Sequence, residues 1–133
     1  MGDFTMPKWP TARLVAAVIM LAFFPFEADA KRYKFDCSYP KYASPEGLKA
    51  DDKFTLEFHF DDITGKGVLI GRLGLSDVEA HAGNLGVTFM EKLSGGTVQT
   101  TTITNDGNSV HSRHSTLVGK LIPSQYYGRC TIQ

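Results

Sequence analysis

The chain has 133 residues and balances 14 Lys and Arg against 14 Asp and Glu, for a formal net charge of zero. It lacks a basic excess or run that would mark a nucleic-acid partner, and it has no charged tail. At this length one domain is expected.

Residues 1–30 read as a secretory signal peptide rather than as part of that domain. Lys8 and Arg13 give a positive front end, Leu14 to Phe26 is free of charge, and Ala28-Asp29-Ala30 places small residues where a signal peptidase reads. The apolar run is shorter than the roughly 20 residues needed to span a bilayer, so no stable anchor is expected after cleavage. The expected product is a single exported β domain, residues 31–133, in the periplasm or medium. Cys37 and Cys130 both lie in it. In an oxidising compartment they are expected to form a disulfide. Their spacing does not fit a Cys-x-x-Cys redox or zinc motif.

Alternation of apolar and polar residues then runs along the chain. Tyr33, Phe35, Cys37 and Tyr39 share one face of a first strand. Pro40 to Asp52 carries Pro40, Pro45 and Gly47 and reads as a loop, with a short helical turn after Ser44 as an option. Phe54, Leu56, Phe58 and Phe60 form the inner face of the strongest strand, with Thr55, Glu57 and His59 outside. Asp61 to Gly67 is a turn, and Val68 to Leu73 a strand in which Gly71, with Gly74 after it, suggests a bulge or bend. Further strands are expected over Asp77–Ala82, Val87–Leu93, Thr97–Thr104, Ser109–Val118 and Tyr126–Ile132. Gly83-Asn84-Leu85-Gly86, Ser94-Gly95-Gly96 and Asn105-Asp106-Gly107-Asn108 are the turns between them, and Pro123 with Ser124 is expected to break the chain.

About eight short strands of this kind make an all-β domain, a small antiparallel β-barrel or a β-sandwich. The disulfide favours the barrel, because it makes the first and last strands neighbours. Spanning strands of an outer-membrane barrel need about 9–11 residues and an outward apolar band. Here Glu57, His59, Glu79 and His81 face outward instead.

The chemistry-bearing residues are sparse. No phosphate loop, dinucleotide fingerprint or Gly-x-Ser-x-Gly elbow is present, so no enzyme activity and no cofactor is expected. Glu57, His59 and Asp61 are the best metal trio the pattern offers, and the simpler reading is a solvated strand face, so no metal is assigned. Val110 to Ser115 is the most polar strand, and Pro123 to Arg129 leads into paired tyrosines. The candidate binding surface comprises His111, Arg113, His114, Gln125, Tyr126, Tyr127 and Arg129. Within it, Arg113 is suited to a carboxylate or phosphate.

Val98 to Ile103, Val110 to His114 and Pro123 to Cys130 together resemble a group of small exported α-proteobacterial proteins. The resemblance spans roughly the last two-thirds of residues 31–133 and brings no activity or catalytic motif with it. In outline the chain is also similar to the periplasmic C-type lysozyme inhibitors, small barrels with cysteines near both ends. Ser94-Gly95-Gly96 is followed here by Thr97 and Val98, which departs from the inhibitory loop pattern of those proteins. The leading expectation is non-enzymatic binding of another periplasmic or extracellular protein through the surface. An inhibitor of that type and a lipocalin-like carrier of a small ligand are the alternatives.

Overall fold

Period-two alternation dictates what the computed structural model shows: a chain made of strands. It describes residues 31–51 and 53–133, with Gly2 and Thr5. The expected signal segment otherwise lies outside the described residues. The strands are β1 (Arg32–Ser44), β2 (Gly47–Ala50), β3 (Thr55–Asp61), β4 (Lys66–Gly71), β5 (Gly74–Ala82), β6 (Gly86–Lys92), β7 (Val98–Thr104), β8 (Asn108–Leu117) and β9 (Lys120–Ile132). All pairings are antiparallel. Strands β1 and β3 to β9 follow one another around a closed barrel, β9 pairing back onto β1, while β2 lies outside on the second half of β1.

Cys37 and Cys130 face each other across the β1–β9 seam and are disulfide-bonded. Above them the seam register shifts between Ser38 and Lys41. Gly128 is required at this point: a Cβ there would lie 1.9 Å from the carbonyl oxygen of Ser38. The two backbones cross closely, and a side chain would force them apart.

The strongest strand behaves as its alternation demands. Phe58 and Phe60 are buried, Phe54 and Leu56 pack against the core half-buried, and Thr55 and His59 are exposed. The rings gather at one end of the barrel. Phe89 stacks on Phe58 with centroids 4.6 Å apart, and meets Phe35 and Phe60 edge-on at 5.8 and 6.2 Å. Gly67 faces the same space: a Cβ on it would come within 3.1 Å of the Phe89 ring.

Three expectations are corrected. Pro40 to Asp52 is no plain loop with a helical turn. β1 runs on to Ser44, and Pro45-Glu46 turns it into β2. Pro40 is tolerated because it falls in a gap of both ladders: β3 pairs with β1 only up to Ser38, β2 starts opposite Lys41, and the β9 register skips it. Gly71 and Gly74 do not make a bulge; they are cross-strand partners closing a tight turn at Arg72-Leu73. Pro123 does not break the chain, since β9 runs through it from Lys120. There β9 pairs with β8 alone, because its pairing with β1 begins at Gln125, so the missing N–H faces no partner.

The strands are steeply staggered. Tyr33 on β1 is in register with Phe60, Gly67 and Val78. One residue along, Glu79 is in register with Met90, Thr100, Ser112, Gln125 and finally Ala43, near the other end of β1. Stagger of this size goes with tilted strands and a wider barrel. The phenyl cluster fills one end and leaves the other open.

Candidate functional site

The open end is where the β1–β2, β4–β5, β6–β7 and β8–β9 turns gather. A depression of about 1240 Å³ lies there, and Phe54, Leu56, Leu69, Glu91, Gln99, His111 and Arg113 are among its walls. It also reaches over the rim to the β4–β5 turn, where Leu73 is fully exposed.

Cross-strand register arranges the inner face of β6 to β9 in layers. Nearest the mouth, Glu91, Gln99, Arg113 and Ser124 follow one another from β6 to β9. Below them come Phe89, Thr101, His111 and Tyr126, and below those Val87, Ile103, Ser109 and Gly128. The barrel is thus apolar at its floor and hydrogen-bonding towards its mouth.

In the lower layers Thr101 is hydrogen-bonded with His111, and Ser109 with Tyr39. His111 is 1% exposed and its Nδ1 hydrogen-bonds with Thr101 Oγ1 at 2.6 Å. Phe54, Tyr126 and Tyr39 surround the imidazole, with ring centroids 5.5, 5.9 and 6.0 Å away. Burial, and secondly the Arg113 charge, push its pKa down to about 4, so it is neutral at pH 7. The Ser109 hydroxyl donates to the Thr102 carbonyl at 3.0 Å, which leaves the Tyr39 hydroxyl to donate to Ser109 Oγ at 2.8 Å. Burial drives the Tyr39 pKa up to about 12, against the opposing effect of that bond. In the upper layer the Gln99 amide donates to Glu91 Oε2.

A neutral buried His makes the fold acid-sensitive. Unfolded, its pKa is near 6.5; folded, it is about 4. Between those values the unfolded chain takes up a proton that the folded one refuses. Stability is therefore fully present above about pH 6.5 and falls as pH drops towards 4, by an amount on the order of 3 kcal/mol. Urea unfolding over this pH range tests it. His111→Gln keeps a hydrogen-bonding group for Thr101 but has no proton to gain. Its stability should fall less by about that amount, and equal pH slopes in the two proteins would remove His111 from the account.

The residues expected to form one binding surface are divided by the barrel wall. His111, Arg113 and Tyr126 point inward. His114, Gln125, Tyr127 and Arg129 are exposed on the outside. There Gln125 donates to Ser112 Oγ at 3.1 Å, and the Tyr127 hydroxyl donates to Gln125 Oε1 at 2.7 Å. Arg129 donates to Asn108 Oδ1 and the Asp106 carbonyl at 2.6 and 2.8 Å, tying the β7–β8 turn to β9. His114 and Gln125 line a shallow groove of about 320 Å³ with Ala43, Pro45 and Pro123.

The metal trio does not converge. Glu57 bonds to His59, while Asp61 accepts from the backbone N–H groups of Ile63 and Thr64 in the β3–β4 turn. Among the described residues no group of three His, Cys, Asp or Glu side chains is placed to hold a metal ion.

Glu91 was not singled out from the sequence, in which Gln99 to Thr102 reads only as a hydroxyl-rich stretch that suits either a ligand platform or plain β propensity. The signal was their parity: Val87, Phe89 and Glu91 share a face, as do Gln99, Thr101 and Ile103. No protein family, curated protein or solved structure matches this chain, so what its mouth can do rests on these side chains and their geometry.

Proposed function

We propose that the chain is a non-enzymatic binding barrel that works outside the cytoplasm and takes a small ligand into its open end. The observation that carries this reading is the layered interior. Glu91, Gln99 and Arg113 form a polar row at the mouth, above a buried His111 and beside the apolar walls of Phe54, Leu56 and Leu69. Concave sites with apolar walls and a few convergent polar groups are where small molecules bind. This favours the carrier alternative over binding of a protein through the outer surface. There Gln125, Tyr127 and Arg129 are engaged with one another, with Ser112 and with the β7–β8 turn. The Cys37–Cys130 disulfide supports export, since such bonds persist in oxidising compartments.

The test is titration of the purified protein with N-phenyl-1-naphthylamine, a neutral apolar dye that brightens when it leaves water. Saturable binding of about one dye per chain is expected. Leu93→Asp, at the lip of the mouth, should weaken it by about tenfold, the equivalent of ~1.4 kcal/mol. Leu85→Asp, between β5 and β6 at the opposite end of the barrel, should leave it unchanged. Absence of saturable binding, or equal loss in both variants, would defeat the reading.

A further inference from the structure

We infer that the ligand of the mouth is a single-chain amphiphile with a singly charged anionic head, held on Arg113. This rests on the reading of the mouth as a binding site and adds the class of ligand. Arg113 is half-buried on the inner face of β8 and lines the depression. Among the described residues it takes part in no ion pair and no side-chain hydrogen bond. A guanidinium in such a place, with five donors in a planar fork, is set for a carboxylate-like group.

Its neighbours do not supply one. His111, two residues along on the same face, is neutral at pH 7, with its Nδ1 bonded to Thr101. Gln99 is the direct cross-strand partner, and its amide is given to Glu91. Glu91 lies two strands from Arg113, and strands are ~4.8 Å apart, so about 10 Å separates the two backbones. The only carboxylate in the polar row is thus held by Gln99 on the far side of that residue. It does limit the charge that the mouth accepts, because a second negative charge on the ligand would be repelled by Glu91. One negative charge on the head therefore suits this row; Lys53, Arg72 and Asp51 also line the depression, but outside the row.

The apolar tail has its own place. Phe54, Leu56 and Leu69 line the wall on the β3–β4 side, opposite the polar row, and Leu73 and Leu93 stand at the rim. The phenyl cluster around Phe89 closes the floor. A molecule with a charged end at β8 and an apolar body against β3 and β4 satisfies both walls, while a wholly polar solute satisfies only one.

The experiment displaces the neutral dye with three molecules that share one tail: laurate, monolaurin and lauryltrimethylammonium, each below its micelle concentration. Laurate is expected to bind about tenfold or more tighter than either of the others, as charge-assisted bidentate pairing implies. Arg113→Met should abolish that preference while monolaurin and the dye still bind, which also shows that the variant is folded. Arg113→Lys should restore part of it. Equal displacement by laurate and monolaurin, or a laurate preference that survives in Arg113→Met, would overturn the anionic head and leave the mouth as a binding site. Dye binding without displacement by any of the three would overturn the amphiphile class. Failure of the dye itself to bind would overturn the underlying reading.

Discussion

Replacing Phe89 by Ala is expected to lower the unfolding free energy by about 3–5 kcal/mol, the range for deleting a fully buried aromatic ring. Phe89 is 1% exposed and is the one ring that touches the other three phenyl groups of the floor, Phe35, Phe58 and Phe60. Its contacts come from β1 and β3, across the barrel from its own strand, so the hole left behind opens in the middle of the core. The neighbouring walls cannot close it, because the backbone ladders fix their separation. Gly67 provides an internal control. Alanine at that position alone crowds both the ring and Val78 and should destabilise; in the Phe89→Ala background the added methyl no longer meets the ring, keeps only its 3.0 Å approach to Val78 Cγ2, and should cost less. Urea unfolding of the four proteins in this cycle reads the coupling directly. A loss below about 1 kcal/mol for Phe89→Ala, or strict additivity with Gly67→Ala, would contradict this description of the floor.

Removing the disulfide is the second large effect. With Cys37 and Cys130 both changed to Ala, stability should fall by about 2–5 kcal/mol, the usual range for a small exported domain. The far-ultraviolet circular dichroism should stay β-like, because the seam retains its ladder on both sides of the bridge: Phe35 with Ile132, and Lys41 to Ala43 with Tyr127 to Gln125. The bond acts chiefly by restricting the unfolded chain, and by holding two strands that become open edges if they part. Thermal melts with light scattering measure both consequences. A melting temperature equal to that of the native protein would mean that the bridge contributes nothing to holding the barrel shut. Collapse of the β signal in mild buffer would mean that the ladder cannot form without it.

Much of the architecture was legible because each strand buries one face, and burial writes a period of two into the residues. Phe54 to Phe60 shows this most plainly, and the cysteine pair added what periodicity lacks, namely which strands meet. The β1–β2 hairpin was not legible, because Pro40, Pro45 and Gly47 are breakers in isolation, and only the gaps in the neighbouring ladders make them harmless. Pro123 was misread for the same reason: a proline is excluded from a strand only where its absent N–H would have had a partner.

The site was harder to read than the fold. Polarity along Val110 to Ser115 suggested an outward face, yet His111 and Arg113 point in. The phenyl groups around Phe89 fill only the floor, and the stagger of the strands goes with a barrel wider than strand number alone implies. Stagger is a property of eight registers taken together, and no single stretch of residues carries it.

The β1–β9 seam also governs how quickly the chain finds its shape. The remaining barrel pairings link strands close in sequence, most through short turns, and can form as a series of hairpins. Ring closure joins positions 93 residues apart, so it must wait for the others and carries the largest search through chain conformations. In a chain that unfolds with its bridge intact, this search is never fully lost, since the two end strands stay tethered. The oxidised protein therefore refolds faster than the reduced one, and the cysteine pair sets the pace of assembly as well as the strength of what is assembled.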